Sequence, residues 1–373
     1  MTAQQSQQPA PQRRIRVGLI GLGNNMLGHV RRLLEIPEVE IVAGVDPVGA
    51  MQARFKERYP QLAGVPLFAS HEEMLRTAQP EAVEISTPHN LHFRQIVDSL
   101  ESGAHVLVEK PMVNSVREAE AVLRARDAAG KIVLVSYQRH TQPMFTKIKQ
   151  LIDEGVLGEI EFIQALQNQQ WYANKFRTPE AAAWQRGEAS RPPDLPWRVS
   201  KDVAGGGQLN DSGSHLVDIL LYVTGLEPES VYAAQQRFML EVDVNSAIAV
   251  TFTNGAIGNV SIVGQAPGIG GAVWEDITIY GSKGALCYRM LGQPEHKPTL
   301  ELRLINRDEP LDLGELPAGS TPDRNFVDAI LGRDTVKSPA ECGLRVMQLS
   351  EAAWKSAETG QPVQVRSLSA GPK

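Results

Sequence analysis

Two short stretches of this 373-residue chain hold side chains whose types and spacing could do chemistry. The first is Glu109-Lys110-Pro111, which closes the apolar run Val106-Leu107-Val108. That run reads as a buried parallel strand, so Lys110 falls at a strand's carboxyl end, the edge where open α/β sheets hold their ligands. Pro111 has no N–H to donate and keeps Lys110 out of helical backbone angles, so the strand stops there and the ammonium projects into the crevice. A cation at that edge can polarise a hydroxyl or carbonyl oxygen. The second stretch is GGGQLNDSGSHLVDILLYVTG, residues 205–225. Apolar residues at Leu216, Ile219, Leu220 and Val223 predict a helix ended by Gly225, with Pro228 beyond. Asp211 and His215, four apart, are expected on one face of its first turn. A carboxylate that orients a histidine and raises its basicity makes a general base. Taken singly, Asp211 more often caps a helix and His215 more often packs structurally; the pairing, with Lys110 elsewhere, favours chemistry.

These groups need a scaffold and a reaction partner, and the amino-terminal half supplies signals for both. Ile15–Ile20 (IRVGLI) reads as a strand that runs directly into GLGNNMLGHVRRLLE. Gly21 and Gly23 stand where a dinucleotide-binding turn needs glycines, one for the tight turn and one for close approach of a pyrophosphate to backbone N–H groups. Asn24, Asn25 and Met26 continue this candidate cofactor site. Met26 stands where a small residue is usual, with Gly28 two residues later. The next strand, VEIVAGV, ends in Asp46, 25 residues after Gly21 and so near the place of the acid that accepts the adenosine ribose hydroxyls. A carboxylate there favours NAD over NADP; its plainer reading is a cap before Pro47.

Strands and helices then alternate: a short strand at Leu67-Phe68, helix 71–77, strand Ala82–Ser86, helix 90–102, strand 105–108, helix 115–129 and strand 132–135. This is the rhythm of a doubly wound parallel sheet. Thr87 and Pro88, at another strand's carboxyl end, join the candidate cofactor set, as do Asn90, His92 and Glu109 beside Lys110. Asn90 also suits a helix cap. His89 and His92 stand three apart without a third ligand nearby, so no metal site is read there.

After Ser136 the pattern changes. Tyr137-Gln138-Arg139-His140 precedes a helix at about 142–153, and strand-like segments follow at 159–170, 230–240, 246–253, 256–264, 275–280, 285–290 and 299–305. Asn254-Gly255 and Gly281-Ser282-Lys283-Gly284 signal hairpins. The second half is therefore expected to be an α/β domain with a large open, mostly antiparallel sheet. Such a sheet leaves one face free, which predicts a homodimer or homotetramer. Residues 171–208 read as an irregular span rich in Trp, Arg and Pro, including Trp171, Tyr172, Arg177, Trp184, Trp197 and Arg198, which suits a carbohydrate-like ligand or a loop pinned by tryptophans. Tyr137, Arg139, Trp197 and Arg198 are the candidate substrate contacts. The expected division is a tail at 1–13, a dinucleotide-binding domain at 14–136 and a substrate and oligomerisation domain at 137–373.

Composition narrows the alternatives. Hydrophobic residues make up 42% and charged residues 21%, as in a soluble globular protein, and a formal charge of −6 argues against a nucleic-acid or anionic-membrane partner, since no face need be strongly basic. Two cysteines are too few for a disulfide framework or zinc cage, which points to a cytoplasmic protein. No apolar run is long enough to span a bilayer. Arg13-Arg14 precedes an apolar stretch too short for an export signal and without a small-residue cleavage site.

GLIGLG at 18–23, TPHNLH at 87–92, VEKP at 108–111, YQRH at 137–140 and GGGQLNDSGSHLVD at 205–218 together resemble the Gfo/Idh/MocA oxidoreductases, NAD(P)-dependent enzymes acting mainly on sugars, cyclitols and their derivatives. The resemblance implies a Rossmann domain followed by an α/β domain whose open sheet mediates dimers or tetramers. It also implies that Lys110, Asp211 and His215 carry the chemistry and that the Lys110-Pro111 peptide is cis. The expected reaction is reversible oxidation of a secondary alcohol, with His215 taking the hydroxyl proton and Lys110 stabilising the developing charge. Two other readings stay open on sequence: a redox-elimination glycosidase that uses NAD transiently, and a non-catalytic dinucleotide or sugar sensor of the same fold.

Overall fold

In the computed structural model, residues 13–171, 197–238, 240–265, 273–292 and 296–365 are described. The amino-terminal tail and Tyr172, Arg177 and Trp184 of the irregular span lie outside them. The β-branched runs of the first half build a six-stranded parallel sheet from Ile15–Ile20 (β1), Val39–Val45 (β2), Leu67–Phe68 (β3), Ala82–Ile85 (β4), His105–Val108 (β5) and Val133–Val135 (β6). Their order is β3-β2-β1-β4-β5-β6. β4 and β6 are buried along their whole length, as strands covered by helices on both faces must be. The order reverses between β1 and β4, and the carboxyl ends on either side of that switch define the ligand crevice.

The second sheet has eight strands: Ile160–Gln169 (β7), Pro228–Gln236 (β8), Asn245–Phe252 (β9), Ile257–Val263 (β10), Val273–Gly281 (β11), Gly284–Met290 (β12), Thr299–Leu304 (β13) and Val363–Gln364 (β14). Their order is β13-β12-β11-β7-β10-β9-β8-β14, antiparallel throughout except for the parallel pair β7 and β10. Period-two patterning decides its faces. In β9, Ile248, Val250 and Phe252 are buried while Ala247, Ala249 and Thr251 are exposed. The β9–β10 hairpin turns at Asn254-Gly255, where Gly255 has φ 87° and the Ala256 N–H donates to Asn254 Oδ1 at 3.0 Å. The inner face packs on the helices Gly213–Thr224 and Ala340–Thr359. Among the described residues, no helix is long and apolar enough to cross a membrane.

The helix Pro322–Ile330 belongs by position to the second half, yet it packs on the first helix, Asn24–Leu33. Thr321 caps it, accepting from the Arg324 N–H at 3.1 Å, and Pro322 occupies its first turn. Phe326 and Val327 then enter the cluster of Ile15, Leu19, Met26 and Leu33 that fills one side of the parallel sheet. The chain re-enters this half again at Ser338, whose carbonyl accepts from the Val135 N–H at 2.9 Å on the edge of β6. Truncation of Phe326 would leave a cavity under the first helix. Phe326→Ala should therefore cost about 3–5 kcal/mol of unfolding free energy, read by denaturant or thermal unfolding of the full chain; a loss below about 1 kcal/mol would mean that the helix does not complete this core.

Candidate active site

Lys110 leaves β5 through a cis Lys110-Pro111 peptide. Its Nζ donates to Asp211 Oδ1 at 2.9 Å and to the Asp211 carbonyl at 3.1 Å. The other carboxylate oxygen, Oδ2, accepts from Arg198 Nε at 3.0 Å and Trp171 Nε1 at 3.3 Å. Burial works against the charge, but the Lys110 ammonium and the Arg198 guanidinium hold the Asp211 carboxyl far below the usual carboxylate range. Asp211 is thus an anion that fixes Lys110.

It does not orient His215. The helix begins at Gly213, so Asp211 lies in the turn before it and not on its first turn, and its oxygens are committed to Lys110, Arg198 and Trp171. His215 Nδ1 is buried without a hydrogen-bond partner, and its ring meets the Tyr137 ring edge-on at 5.9 Å. Burial, with Lys110 and Arg139 nearby, pushes the imidazole well below its ordinary value, so the ring is neutral.

The turn that carries Asp211 is pinned by a residue with no motif to mark it. Asp243 Oδ1 accepts from the Gly207 N–H at 3.0 Å, its Oδ2 from the Leu209 N–H at 2.8 Å, and its carbonyl from the Gln208 N–H at 2.8 Å. A Cβ on Gly207 would stand 1.8 Å from that carbonyl oxygen, so the glycine run permits tight packing of two backbones.

At the glycine turn, Gly21 has φ 85°, and a Cβ there would lie 2.5 Å from the Ser86 carbonyl oxygen. Gly23 precedes the ten-residue helix Asn24–Leu33 with no side-chain cap, and nothing stands within 4 Å of where its Cβ would be. The helix therefore presents bare N–H groups to open space, an anion site by its dipole and its donors. Asp46 braces this turn, its Oδ2 accepting from the Leu22 N–H at 3.0 Å and its Oδ1 from the Val48 N–H at 2.9 Å. Both the glycine turn and the acid 25 residues on fit a dinucleotide.

Two clefts meet at Lys110. One, of about 820 Å³, runs past Gly21, Gly23, Asn24, Asn25, Asp46, Thr87 and Pro88 to Glu109 and Lys110, with Trp197 and Arg198 on its far wall. The other, of about 880 Å³, lies between the halves and is lined by Arg139, Trp171, Asp211 and His215 among others. They share Asn24, Asn25, Glu109, Lys110 and Arg198.

Four residues singled out from sequence lie elsewhere. Met26 is wholly buried in the apolar core beneath the turn, where its bulk fills the space between helix and sheet. Tyr137 is buried under His215 and lines neither cleft. Asn90 is exposed, in a helix that already begins at His89 after Pro88. His92 is buried and braces the wall from behind, its Nδ1 2.9 Å from the Pro111 carbonyl and its Nε2 3.0 Å from the Thr87 carbonyl. Arg139 does line the second cleft, ion-paired to the buried Glu275, and the Arg198 guanidinium covers the Trp197 ring at 4.4 Å. Sequence reasoning passed over Asp243, Glu275 and the buried group His29, Glu84 and Asp323, which lie far apart in the chain.

Comparison with known proteins agrees with this geometry. The description "Oxidoreductase family, NAD-binding Rossmann fold" matches residues 15–137, and "GFO/IDH/MocA C-terminal domain" matches residues 145–287. The chain is 27% identical over 219 residues to scyllo-inositol 2-dehydrogenase (NADP(+)) IolW of Bacillus subtilis, covering 59% of this chain and 54% of that protein. For four such curated relatives the chain spans between 38% and 58% of the relative's length. Among solved structures, levoglucosan dehydrogenase in complex with NADH and L-sorbose superposes with a TM-score of 0.80 at 21% identity, covering 96% of this chain and all of that one. The WlbA dehydrogenase of Bordetella pertussis, in complex with NADH and UDP-GlcNAcA, gives 0.78 at 22%, covering 95% and 100%. With both of its halves matched, the chain belongs to the Gfo/Idh/MocA oxidoreductases, its first half being their NAD-binding Rossmann fold.

Proposed function

We propose that the protein is a dehydrogenase that moves a hydride between NAD(H) and a secondary hydroxyl of a sugar, cyclitol or sugar derivative. The observation that carries this reading is Lys110 at the junction of a dinucleotide-type cleft and a second cleft between the halves. The dinucleotide, when bound, supplies the hydride acceptor. Lys110, fixed by two bonds to Asp211, offers its remaining N–H to the substrate oxygen and stabilises negative charge there. His215, neutral and lining the same cleft, accepts the hydroxyl proton. Arg139, Trp171 and Arg198 line the substrate cleft, and polar groups against an aromatic wall suit a polyol. Relatives that act on inositol and anhydrosugar substrates support the same class.

Lys110→Met should lower turnover by about 10²–10³-fold, while NADH affinity, read by fluorescence, stays within about threefold. A panel of aldoses, inositols and sugar acids supplies the substrates. Because Asp211 acts through Lys110, Asp211→Asn should add little to Lys110→Met but should add fully to His215→Asn. Wild-type turnover in Lys110→Met would sink the assignment, and full additivity of the first pair would return Asp211 to His215.

Asp46 lines the ribose end of the first cleft, and its carboxylate repels a 2′-phosphate, which supports NAD over NADP. Asp46→Ser should shift the NAD/NADP preference in kcat/KM by about tenfold or more, the worth of one close charge pair; an unchanged ratio would place cofactor choice elsewhere.

The second sheet supports assembly as a homodimer or homotetramer. Its outer face exposes Tyr232, Ile257 and Tyr280 at 49%, 51% and 42%, around the small residues Ala247 and Ala249. Ala249→Arg should dissociate the oligomer in sedimentation velocity. A wild-type protein that sediments as a single chain would end this part of the reading.

A further inference from the structure

Behind the glycine turn lies a group of titratable side chains outside the proposed catalytic set. His29, on the helix Asn24–Leu33, is 2% exposed. Its Nδ1 lies 2.7 Å from Asp323 Oδ1 and 3.3 Å from Glu84 Oε2, and its Nε2 lies 2.9 Å from Glu109 Oε1. Three carboxyl groups from three elements thus surround one imidazole: Glu84 from β4, Glu109 from the turn after β5, and Asp323 from the helix Pro322–Ile330. Arg32, on His29's own helix, donates to Asp323 Oδ2 at 2.5 Å. The Lys110 charge acts on Glu109 from the cleft side, where the neutral His215 also lies.

A neutral imidazole has one N–H. Set between carboxylates at both nitrogens, it would face one of them lone pair to lone pair; only the doubly protonated ring donates to both. Burial opposes that charge, yet the bonds to Asp323 and Glu109, with Glu84 close by, raise the imidazole well above its ordinary value. Burial likewise opposes ionisation of Glu109, and His29 overcomes it, holding that carboxyl at about 2. Glu84 differs. Both its oxygens are buried without a hydrogen-bond partner, and burial followed by repulsion from Asp323 pushes it up to about 7. With Glu84 protonated, His29 and Arg32 balance Asp323 and Glu109 one for one.

We infer that His29 is a positioning residue: as an imidazolium shared by Asp323 and Glu109, it holds the Glu109 carboxylate at the junction of the two clefts, one residue before Lys110. The inference rests on the proposed function for what happens at that junction, but not for the charge on the ring. Without the imidazolium, the Glu109 and Asp323 carboxylates would face one another with Arg32 alone to balance them. One of them must then take a proton, and Glu109 would lose its anchor at the cleft.

The sign of the pH effect follows. Glu109 is ionised at working pH because its folded-state value is depressed; removing His29 raises that value, so ionisation fails from the acid side. His29→Gln should therefore lower kcat/KM at pH 7 and move its acid limb upward by about one pH unit or more, a tenfold loss on that limb. Asp323→Asn in the same chain, which removes the other carboxylate that the imidazolium balances, should bring the limb back towards wild type, a rescue that loss of packing alone would not give. Independently of turnover, ¹⁵N-histidine NMR of the protein without ligand should show one imidazole with both nitrogens protonated through pH 8, and the signal should vanish in His29→Gln. A neutral His29 at pH 7 overturns the inference, as does a folded His29→Gln whose pH profile overlays the wild type. If that variant does not fold, the wild-type spectrum decides alone. If no substrate is turned over, the dehydrogenase reading fails while the spectrum still decides the charge on His29.

Discussion

The two bonds from Lys110 Nζ to Asp211 join the halves of the molecule at the point where its clefts meet. Each partner is placed by backbone constraints rather than by its own side chain. Lys110 is put at the crevice by the end of β5 and the proline that follows, and Asp211 by a turn that only glycine at 207 allows to lie against Asp243. Neither half therefore presents a complete site. The ammonium needs an anion from the other half to stay in a partly buried place, and the anion needs Lys110 and Arg198 to offset its own desolvation. A shift of one half against the other would separate them and leave two uncompensated charges, so the same contact that sets the site also resists domain opening.

The return of the chain after residue 320 strengthens this coupling. Phe326 and Val327 close the apolar side of the parallel sheet, and Asp323, one turn earlier, enters the same region as a buried acid against His29 and Arg32. One helix thus supplies both packing and a counter-charge to the Rossmann half. Glu38 extends the link, its buried carboxylate ion-paired to Arg324 and Arg333, whose side chains reach solvent. The apolar contact fills the core under the first helix, while the buried Asp323 decides the charge behind the glycine turn.

Much of this was legible in the sequence wherever a local rule applied. The strands of both sheets, apart from the two-residue β14, follow from period and β-branching, the hairpin at Asn254-Gly255 from its turn chemistry, and the edge position of Lys110 from an apolar run cut by proline. The helices after residue 320 had local signals too, Thr321-Pro322 ahead of one and Gly360 behind the other. What no local rule reaches is partner choice among charges. Asp211 and His215 stand four apart and invite pairing, yet the helix starts two residues later than that spacing assumes, and two cations win the carboxylate. Met26 looked like a defect in a nucleotide loop because the fingerprint expects a small residue there. Its side chain turns instead into the core, whose other wall includes Phe326, 300 residues away.

Those misreadings share a cause, and it bears on how the site works. A buried charge is placed by whichever opposite charges the fold brings to it, and these come from distant segments: Lys110 with Asp211, Arg139 with Glu275, His29 with Glu84, Glu109 and Asp323. Burial makes each pair costly unless it is complete, so every member constrains the backbone that carries it. Lys110 and Glu109 are adjacent and belong to two different sets, one facing the second half and one facing the Rossmann interior. The strand end between the clefts is therefore held from both sides by charge. A substitution in either set must disturb the other through one peptide unit, which makes residues behind the glycine turn part of the site even though they line little of it.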